Sequence, residues 1–515
     1  MQNNFQNSST MNLTKTEYLL FLKHRAWLWL KKFAKETLPP IDANTQAVFD
    51  AGNRLEDYAE KLFPEGFRIG FNSYDEYLTL SLRTVNAISD GHKVLFQARF
   101  DVGNLTCLTD IVEFTSPKKL RLYEVKSSTK VKPEHEYDLA FQAHVLENSG
   151  FEVEKISVIH VNKSYIRSGD VDPKQLLVIV DVTEAVREKC DVTNENIRGA
   201  LEVISSKEMP DISPRHCHLN SMSDWLPIFR CIKEIPEYSI YDLSIPSAQL
   251  IGDLEDQNIL LMKDIPDSVK LTEKQLAQVH AVKEQHQIID RDGIKTFLDG
   301  LTYPLYFLDY ETCADVVPPY DRTTPYQQVP CQYSLHILDT PTGNLRHTEY
   351  IHKTPELPIQ SLASALQNDI GNKGSVIVWY AKFETTRNNE MAEILPEYRK
   401  FFIDLNDRVV DLMSPFSEGM FVDPAFMGSA SIKKVLPVVV PELSYKTLTI
   451  QEGQTAQRLW MQAVLADMGT DDEKEKLFQD LLRYCELDTL AMVRIYEKLR
   501  ELTKNKAETK QTALF

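Results

Sequence analysis

Two groups of acidic residues in this chain have the residue types and spacing that hold divalent metal ions beside a phosphodiester. The first is Asp110 followed by Glu124-Val125-Lys126. The second is Asp309-Tyr310-Glu311, then Glu384, then Tyr484-Cys485-Glu486-Leu487-Asp488. Residues two apart on a β-strand point to one face, so Glu124 and Lys126 share a face while Val125 turns to the core. Asp309 and Glu311 alternate with apolar neighbours in the same way. Two acids on an otherwise apolar strand are costly to bury without a cation or hydrogen-bond donors. Tyr484 and Asp488, four apart, share one side of a helix. Carboxylate oxygens suit hard Mg²⁺ or Mn²⁺. A lysine or phenol beside them can orient the attacking water. Taken singly, E-x-K is most often an ordinary surface pair and D-x-E the end of a strand. The added residues at their spacings give the patterns weight.

The elements that must position these groups are legible in outline. A polar leader, rich in Asn, Gln, Ser and Thr, occupies residues 1–11 and is expected to be disordered. Thr14 and Glu17 have capping-box spacing and predict a helix start, and a second helix is expected after Gly52. Strand patterns fall near Leu78–Leu82, Val94–Phe100, Leu105–Phe114 and Leu120–Ser127, followed by a helix over Asp138–Asn148 and a strand at Lys155–Val161. This alternation predicts an α/β domain over residues 12–235. Residues 236–300 read as a helical connector, with a helix from Thr272 to about Gln287. A second α/β domain, residues 301–503, is expected to open on a strand at Tyr303–Tyr310. Its partner strand falls at Gln332–Leu338, with further strands at Val376–Tyr380 and Arg408–Leu412 and a long helix over Glu473–Leu502. Residues 504–515 read as a flexible tail.

With 515 residues, the chain exceeds the usual size of one hydrophobic core. It is 43% hydrophobic and 26% charged, ordinary for a globular protein. Its net charge of −18 argues against binding nucleic acid over the whole surface, while leaving room for local phosphate contacts. No apolar run reaches the roughly 18 residues of a membrane span, and the N-terminus lacks a secretory pattern. The seven cysteines include no C-x-x-C pair and are read as reduced thiols. A cytoplasmic location with no membrane partner is therefore expected.

The first group resembles the PD-(D/E)XK nucleases of the RecB-like and CRISPR-associated type, whose pattern is an Asp, then E-V-K, then a helix bearing Gln. Here these are Asp110, Glu124-Val125-Lys126 and Gln142. The resemblance implies a restriction-endonuclease-like fold, metal at Asp110 and Glu124, and catalytic roles for Lys126 and Gln142. It also implies an upstream acid, for which Glu56 and Asp57 are both candidates. The aromatic residue that follows the Gln in that family is Leu146 here, which weakens the nucleic-acid contact. Many of these relatives carry four cysteines around an iron–sulfur cluster. This chain has His24, Cys217 and Cys231 in those regions, so no cluster is expected.

The second group resembles the DnaQ-like exonucleases of RNase H-like fold, with four acidic ligands and a catalytic tyrosine. Asp309, Glu311, Glu384 and Asp488 correspond to the acids and Tyr484 to the tyrosine, with Asp411 in a supporting position. Most relatives have aspartate where Glu384 stands. The resemblance implies two metal ions, one or two more being expected at the first group. The whole arrangement is similar to a bacterial family that fuses the two domains. That match rests on Pro325–Pro330, Gln332–His336 and Gly428–Lys434, segments expected to shape a substrate channel. The terminal Gln511-Thr512-Ala513-Leu514-Phe515 resembles the peptide by which repair enzymes hook onto the bacterial sliding clamp, with Gln511, Leu514 and Phe515 as anchors. The expected activity is metal-dependent phosphodiester hydrolysis, 3′→5′ in the second domain. DNA is favoured as substrate, in repair or defence. The alternatives are an RNA-processing exonuclease and a nucleic-acid-binding protein with one degenerate nuclease domain.

Overall fold

Thr14 caps the first helix by accepting from Glu17 N, and Glu17 returns the bond, as the spacing predicts. A computed structural model describes residues 12–504; the expected leader and the Gln511, Leu514 and Phe515 anchors lie outside the described residues. Just before the cap, β1 (Leu13–Thr14) pairs in parallel with Leu105–Thr106, so α1 (Lys15–Lys23) starts directly over the first sheet. The other strands of that sheet are β2 (Phe67–Arg68), β3 (Val94–Val102), β4 (Leu105–Ser116), β5 (Lys119–Lys126), β6 (Glu152–Val161) and β7 (Leu177–Asp181), and these six lie side by side in sequence order. The β3–β4–β5 meander and the β6–β7 pair are antiparallel, and β5–β6 is parallel. The parallel step is made through α5 (Pro133–Asn148), as a crossover requires. That helix is buried on most sides, with Phe141 stacked on Tyr18 of α1 at 4.9 Å between ring centroids.

The remaining first-half helices that bear on the site are α2 (Arg25–Phe33), α3 (Ala43–Glu60) and α4 (Tyr74–Ser89). Two expectations are corrected here. The helix placed after Gly52 begins at Ala43, capped by Asp42, and runs through the glycine. The strand read at Leu78–Leu82 is the middle of α4, which is capped by Ser73. Alternating leucines imitate a strand, but only Leu80 is buried; Leu78 and Leu82 face solvent. The buried residues Leu80, Thr84 and Ala87 follow helical spacing instead.

His24 joins α1 to α2. Its Nδ1 accepts from Ala26 N, its Nε2 donates to Ser213 O, and its ring stacks on Trp225 at 3.9 Å. Burial pushes its pKa down to about 4 from an ordinary 6.5. A base depressed in the folded state contributes stability that is complete above pH 6.5 and is lost as pH falls toward 4. At ~1.4 kcal/mol per pKa unit, the contribution is on the order of 3 kcal/mol. Urea unfolding between pH 7.5 and pH 4.5 is expected to show a shallower loss of stability in His24→Asn than in the parent chain. Equal slopes would remove His24 from the account. Both ring nitrogens of His24 are engaged by the protein, and Cys217 and Cys231 are free thiols, one buried and one exposed. This donor set does not fit an iron–sulfur cluster.

The segment expected as a connector shares a core with the first half. Ile240, Tyr241, Leu243, Ile251, Leu254, Met262 and Val279 pack with Ala26, Leu30, Trp225 and Phe229 in one buried cluster. The helix expected from Thr272 spans Glu273–Glu284 with Thr272 as its cap. A small ribbon joins β8 (Ile288–Ile289) to a strand at Phe421–Val422.

The second sheet holds β9 (Leu305–Cys313), β10 (Val329–Leu338), β11 (Leu345–Ile351), β12 (Val376–Val378) and β13 (Val409–Asp411), in spatial order β11-β10-β9-β12-β13. β10 is antiparallel to both β9 and β11; β12 runs parallel to β9 and to β13. After β12 comes α6 (Ala381–Ile394), and the last described element is α7 (Asp471–Lys504), which packs across β9 and β10. The architecture is mixed α/β throughout. Among the described residues, no helix is long and apolar enough to cross a membrane.

The halves are in contact. Val316 from the second half lies in a buried cluster with Leu55, Tyr123, Val125 and Tyr165 of the first. Arg54 grips Asp315 with one nitrogen on both oxygens at 2.9 and 2.7 Å. Arg167 donates to the carbonyls of Pro318 and Pro319 at 2.8 and 2.9 Å.

Candidate metal centres

In the first half, antiparallel pairing of β4 with β5 sets Ile111 opposite Tyr123 and so brings Asp110 alongside Glu124. The ladder stops there, and Val125 N donates to Asp110 Oδ2 at 2.7 Å in place of a backbone carbonyl. Lys126 shares the face with Glu124 and donates to it at 2.7 Å, as strand alternation requires. It also donates to Asp138 at 2.8 Å, and Gln142 Nε2 bridges Glu124 and Asp138 at 2.7 and 2.9 Å. Asp138 escaped sequence reasoning, although it precedes Gln142 by four residues on one side of α5, a spacing that could have flagged it.

Lys15 is the other residue the sequence did not single out. As the first residue of α1 it projects onto the strands, with Nζ at 2.9 and 3.1 Å from the two oxygens of Glu124 and 3.6 Å from Asp110. Burial works against its charge, but Asp110, Glu124 and Asp138 raise its pKa well above the ordinary value. Glu124, which burial and Asp110 would protonate, is held below the usual carboxylate range by Lys126 and Lys15. Burial leaves Asp110 raised despite Lys15. An ammonium thus stands where a cation shared by Asp110 and Glu124 would stand. As arranged, these residues do not fit a divalent ion unless Lys15 moves.

The two candidates for the upstream acid separate cleanly. Glu56 is half-buried, accepts from Gln97 at 3.2 Å and has its pKa raised by desolvation, with Glu124 adding to the shift. Asp57, the next residue, points about 100° away around α3 and pairs with Arg68 at 2.6 Å. Asp57 is therefore not part of the cluster. Leu146 is fully buried in the core of the first sheet.

In the second half, β9 presents Asp309 and Glu311 on one face, while Leu308 and Tyr310 are buried on the other. α7 crosses this face and delivers Asp488, so that Asp309, Glu311 and Asp488 each place an oxygen within 4.8 Å of the other two. Among the described residues none of the three has a salt-bridge partner. Burial raises all three: Asp309, with Asp488 adding; Glu311, with Asp309 adding; and Asp488, which is pushed up to about 6. Clustered acids that are at least half-buried and have no salt-bridge partner are an environment that a divalent ion would stabilise.

Glu384 sits in the first turn of α6, where the helix dipole favours an acid. It is buried, its Oε2 has no hydrogen-bond partner, and burial followed by Asp309 raises its pKa well above the usual range. It lies outside the three-oxygen cluster. The longer side chain leaves one orphaned buried oxygen beside Asp309, and a second ion would satisfy it. Asp411 accepts from Tyr380 N, Ala381 N and Met413 N at 2.9–3.0 Å. It therefore anchors the start of α6 and reaches the site only through Glu384.

Tyr484 is buried one turn before Asp488, and burial with Asp488, Glu311 and Asp309 raises its phenol pKa, so it stays protonated. Two further groups complete the site. Tyr445 donates to Asp488 Oδ1 at 2.5 Å. Lys433 Nζ lies 5.7 and 5.5 Å from the ring centroids of Tyr445 and Tyr484. Lys433 belongs to the Gly428–Lys434 stretch singled out in the sequence; Tyr445 carried no such signal. Gly453 borders the site: a Cβ there would lie in ordinary contact, 3.9 Å, with both Glu311 Oε2 and Tyr484 Oη. The oxygen donors fit Mg²⁺ or Mn²⁺.

Residues 306–431, which carry Asp309, Glu311, Glu384 and Asp411, match a family described as a domain of unknown function, DUF2779. Tyr445, Tyr484 and Asp488 lie beyond that match. The chain is also 28% identical over 215 residues to uncharacterized protein UU173 of Ureaplasma parvum, covering 38% of this chain and 31% of that protein. To the uncharacterized protein MG366 homolog of Mycoplasma pneumoniae it is 26% identical over 218 residues, covering 39% and 32%. The matched stretch spans about a third of the length of these curated relatives.

Proposed function

We propose that the second half is a divalent-metal-dependent exonuclease that hydrolyses nucleic acid from the 3′ end, with DNA the favoured substrate. The observation that carries this reading is the convergence of Asp309, Glu311 and Asp488 within 4.8 Å, unpaired with any base, beside a protonated tyrosine. Asp309, Glu311 and Asp488 would hold the ions, with Glu384 completing the set. When bound, such ions supply a nucleophilic water at neutral pH and charge stabilisation for the leaving oxygen. The Tyr484 hydroxyl positions the water and, being protonated, acts as a hydrogen-bond donor and not as the base. Tyr445 fixes the Asp488 carboxylate. Lys433 offers the phosphate a compact positive charge at the rim.

A cavity of about 450 Å³ between the halves supplies a route for the strand; it is lined by Lys130, Lys132, Lys163, Tyr326 and Gln327 among others. Its lysines stand out on a chain of net charge −18 and suit backbone phosphates. The loop that lines it is tied to the carboxylates, since Thr312, next to Glu311, donates to Gln328 at 2.5 Å.

For the first half, the Lys15 contacts favour a second reading: a nuclease-like domain that binds nucleic acid without cutting it. RNA as the substrate of the second half is decided by experiment. DNA and RNA strands labelled at the 5′ end, single and double, are incubated with the full chain in Mg²⁺ or Mn²⁺. Progressive shortening from the 3′ end is expected, faster on DNA. Internal cuts in place of end trimming, or no hydrolysis with either metal, would overturn the assignment.

A further inference from the structure

We propose that His336, His347 and Glu486 form a separate transition-metal site, best suited to Zn²⁺, on the face of the second sheet that α7 covers, two strands' breadth along from the Asp309 cluster. His336 and His347 face each other across the β10–β11 pairing, with ring centroids 4.5 Å apart. Glu486 reaches them from α7, and the three residues offer ligand atoms within 4.8 Å of one another. Two imidazoles and a carboxylate are a borderline donor set that selects zinc over magnesium, unlike the all-oxygen cluster around Asp309.

The hydrogen bonds around the rings prepare them as ligands. Thr489 Oγ1 donates to Glu486 O at 3.1 Å, which leaves it to accept from His336 Nδ1–H at 2.8 Å and from Ser334 Oγ–H at 2.7 Å. Ser334, its proton spent on Thr489, accepts from His347 Nε2–H at 2.9 Å. The relay assigns both tautomers: His336 keeps a bare Nε2, and His347 keeps a bare Nδ1, which lies 3.9 Å from Glu486 Oε1. Metal-bound histidines characteristically donate their second nitrogen to a fixed partner in this way. Buried His336 is neutral at ordinary pH, so its lone pair is available. A tetrahedral zinc with bonds of ~2.0–2.1 Å needs donors about 3.4 Å apart, so side-chain movements of roughly an ångström would close the set. Glu349 lies opposite Ser334 on β11, near enough to interact electrostatically with His347 and Glu486, and stands as a fourth ligand in reserve.

Glu486 lies between Tyr484 and Asp488 on α7, so an ion there would pin this turn of the helix to β10 and β11. Zinc would act as a clamp on the geometry of the neighbouring pocket, without touching substrate.

The test uses chelator-stripped full chain and equilibrium dialysis against Zn²⁺ in millimolar Mg²⁺, with Co²⁺ absorption as a second readout. About one equivalent of zinc is expected to bind with Mg²⁺ present. His347→Ala and Glu486→Gln, both at accessible positions, should each weaken binding by at least about 10-fold, and the visible bands of tetrahedral Co²⁺ should disappear. Asp309→Asn should leave zinc binding unchanged. The proposal is overturned if His347→Ala and Glu486→Gln bind zinc as tightly as the parent chain, or if Asp309→Asn is the variant that abolishes binding. None of these readouts depends on nuclease activity, so the zinc site stands or falls apart from the exonuclease reading.

Discussion

Asp309→Asn is expected to lower 3′-end hydrolysis by on the order of 10³-fold while raising the thermal stability of the metal-free chain. The loss follows from the ions' contribution to transition-state charge stabilisation, which is worth several kcal/mol, each ~1.4 kcal/mol being a factor of ten in rate. Asp309 is the residue the other acids feel most: it raises Glu311 and Glu384, and it lies within reach of Asp488. The gain in stability has the same source. Three acids are clustered with no salt-bridge partner and only Lys433 acting on them from a distance, so neutralising one relieves repulsion that the metal-free fold otherwise carries, on the order of 1 kcal/mol. Single-turnover hydrolysis and thermal denaturation with and without Mn²⁺ check both parts. The parent chain should gain stability with Mn²⁺ and the variant little. Activity in the variant within tenfold of the parent would sink the assignment of this cluster as the catalytic centre.

The second large effect is expected at Lys15. Lys15→Met keeps much of the apolar stem and removes the ammonium that contacts Glu124 and Asp110. Breaking a buried ion pair from one side costs about 3–5 kcal/mol, because the remaining charge is left in low dielectric without its partner. Lys126 still serves Glu124, which places the expected loss toward the lower end of that range. Two further measurements identify the cause. Lys15→Met/Asp110→Asn should recover part of the stability, since the uncompensated acid is gone. Millimolar Mn²⁺ should stabilise Lys15→Met more than the parent chain, because the carboxylates are then free to take an ion. If Lys15→Met unfolds at the parent's urea midpoint, the ammonium is not the counter-charge of this cluster. If it gains an endonuclease activity that Asp110→Asn abolishes, the reading of the first half as a non-cutting module gives way to a latent nuclease.

Local periodicity made much of the second site legible. The alternation around Asp309 and Glu311 and the four-residue spacing of Tyr484 and Asp488 depend only on strand and helix geometry. The strands that carry them lie where the apolar patterns place them, because each is buried on at least one face. Long-range placement was not legible. Lys15 enters the first cluster because β1 pairs with β4 some ninety residues later, and no pattern within α1 announces that. Tyr445 reaches Asp488 from an irregular segment whose path is set by packing. Glu56 and Asp57 were equivalent on paper until the rotation of α3 was known. Leu78, Leu80 and Leu82 suggest how a short alternating run misleads: helical burial of Leu80 with Thr84 and Ala87 overrode it.

The seam between the halves has a consequence for how this chain can be handled. Glu311 is separated by only three residues from Asp315, which Arg54 grips, and by four from Val316, which is sunk among first-half side chains. The strand bearing two carboxylates therefore runs straight into the joint. Cutting the chain near residue 300 to obtain a free-standing catalytic fragment would strip Val316 of its socket and release the anchor next to the carboxylates. The two halves are better regarded as a fused casting than as interchangeable cartridges, and swapping either for a homologous module would require carrying the joint with it.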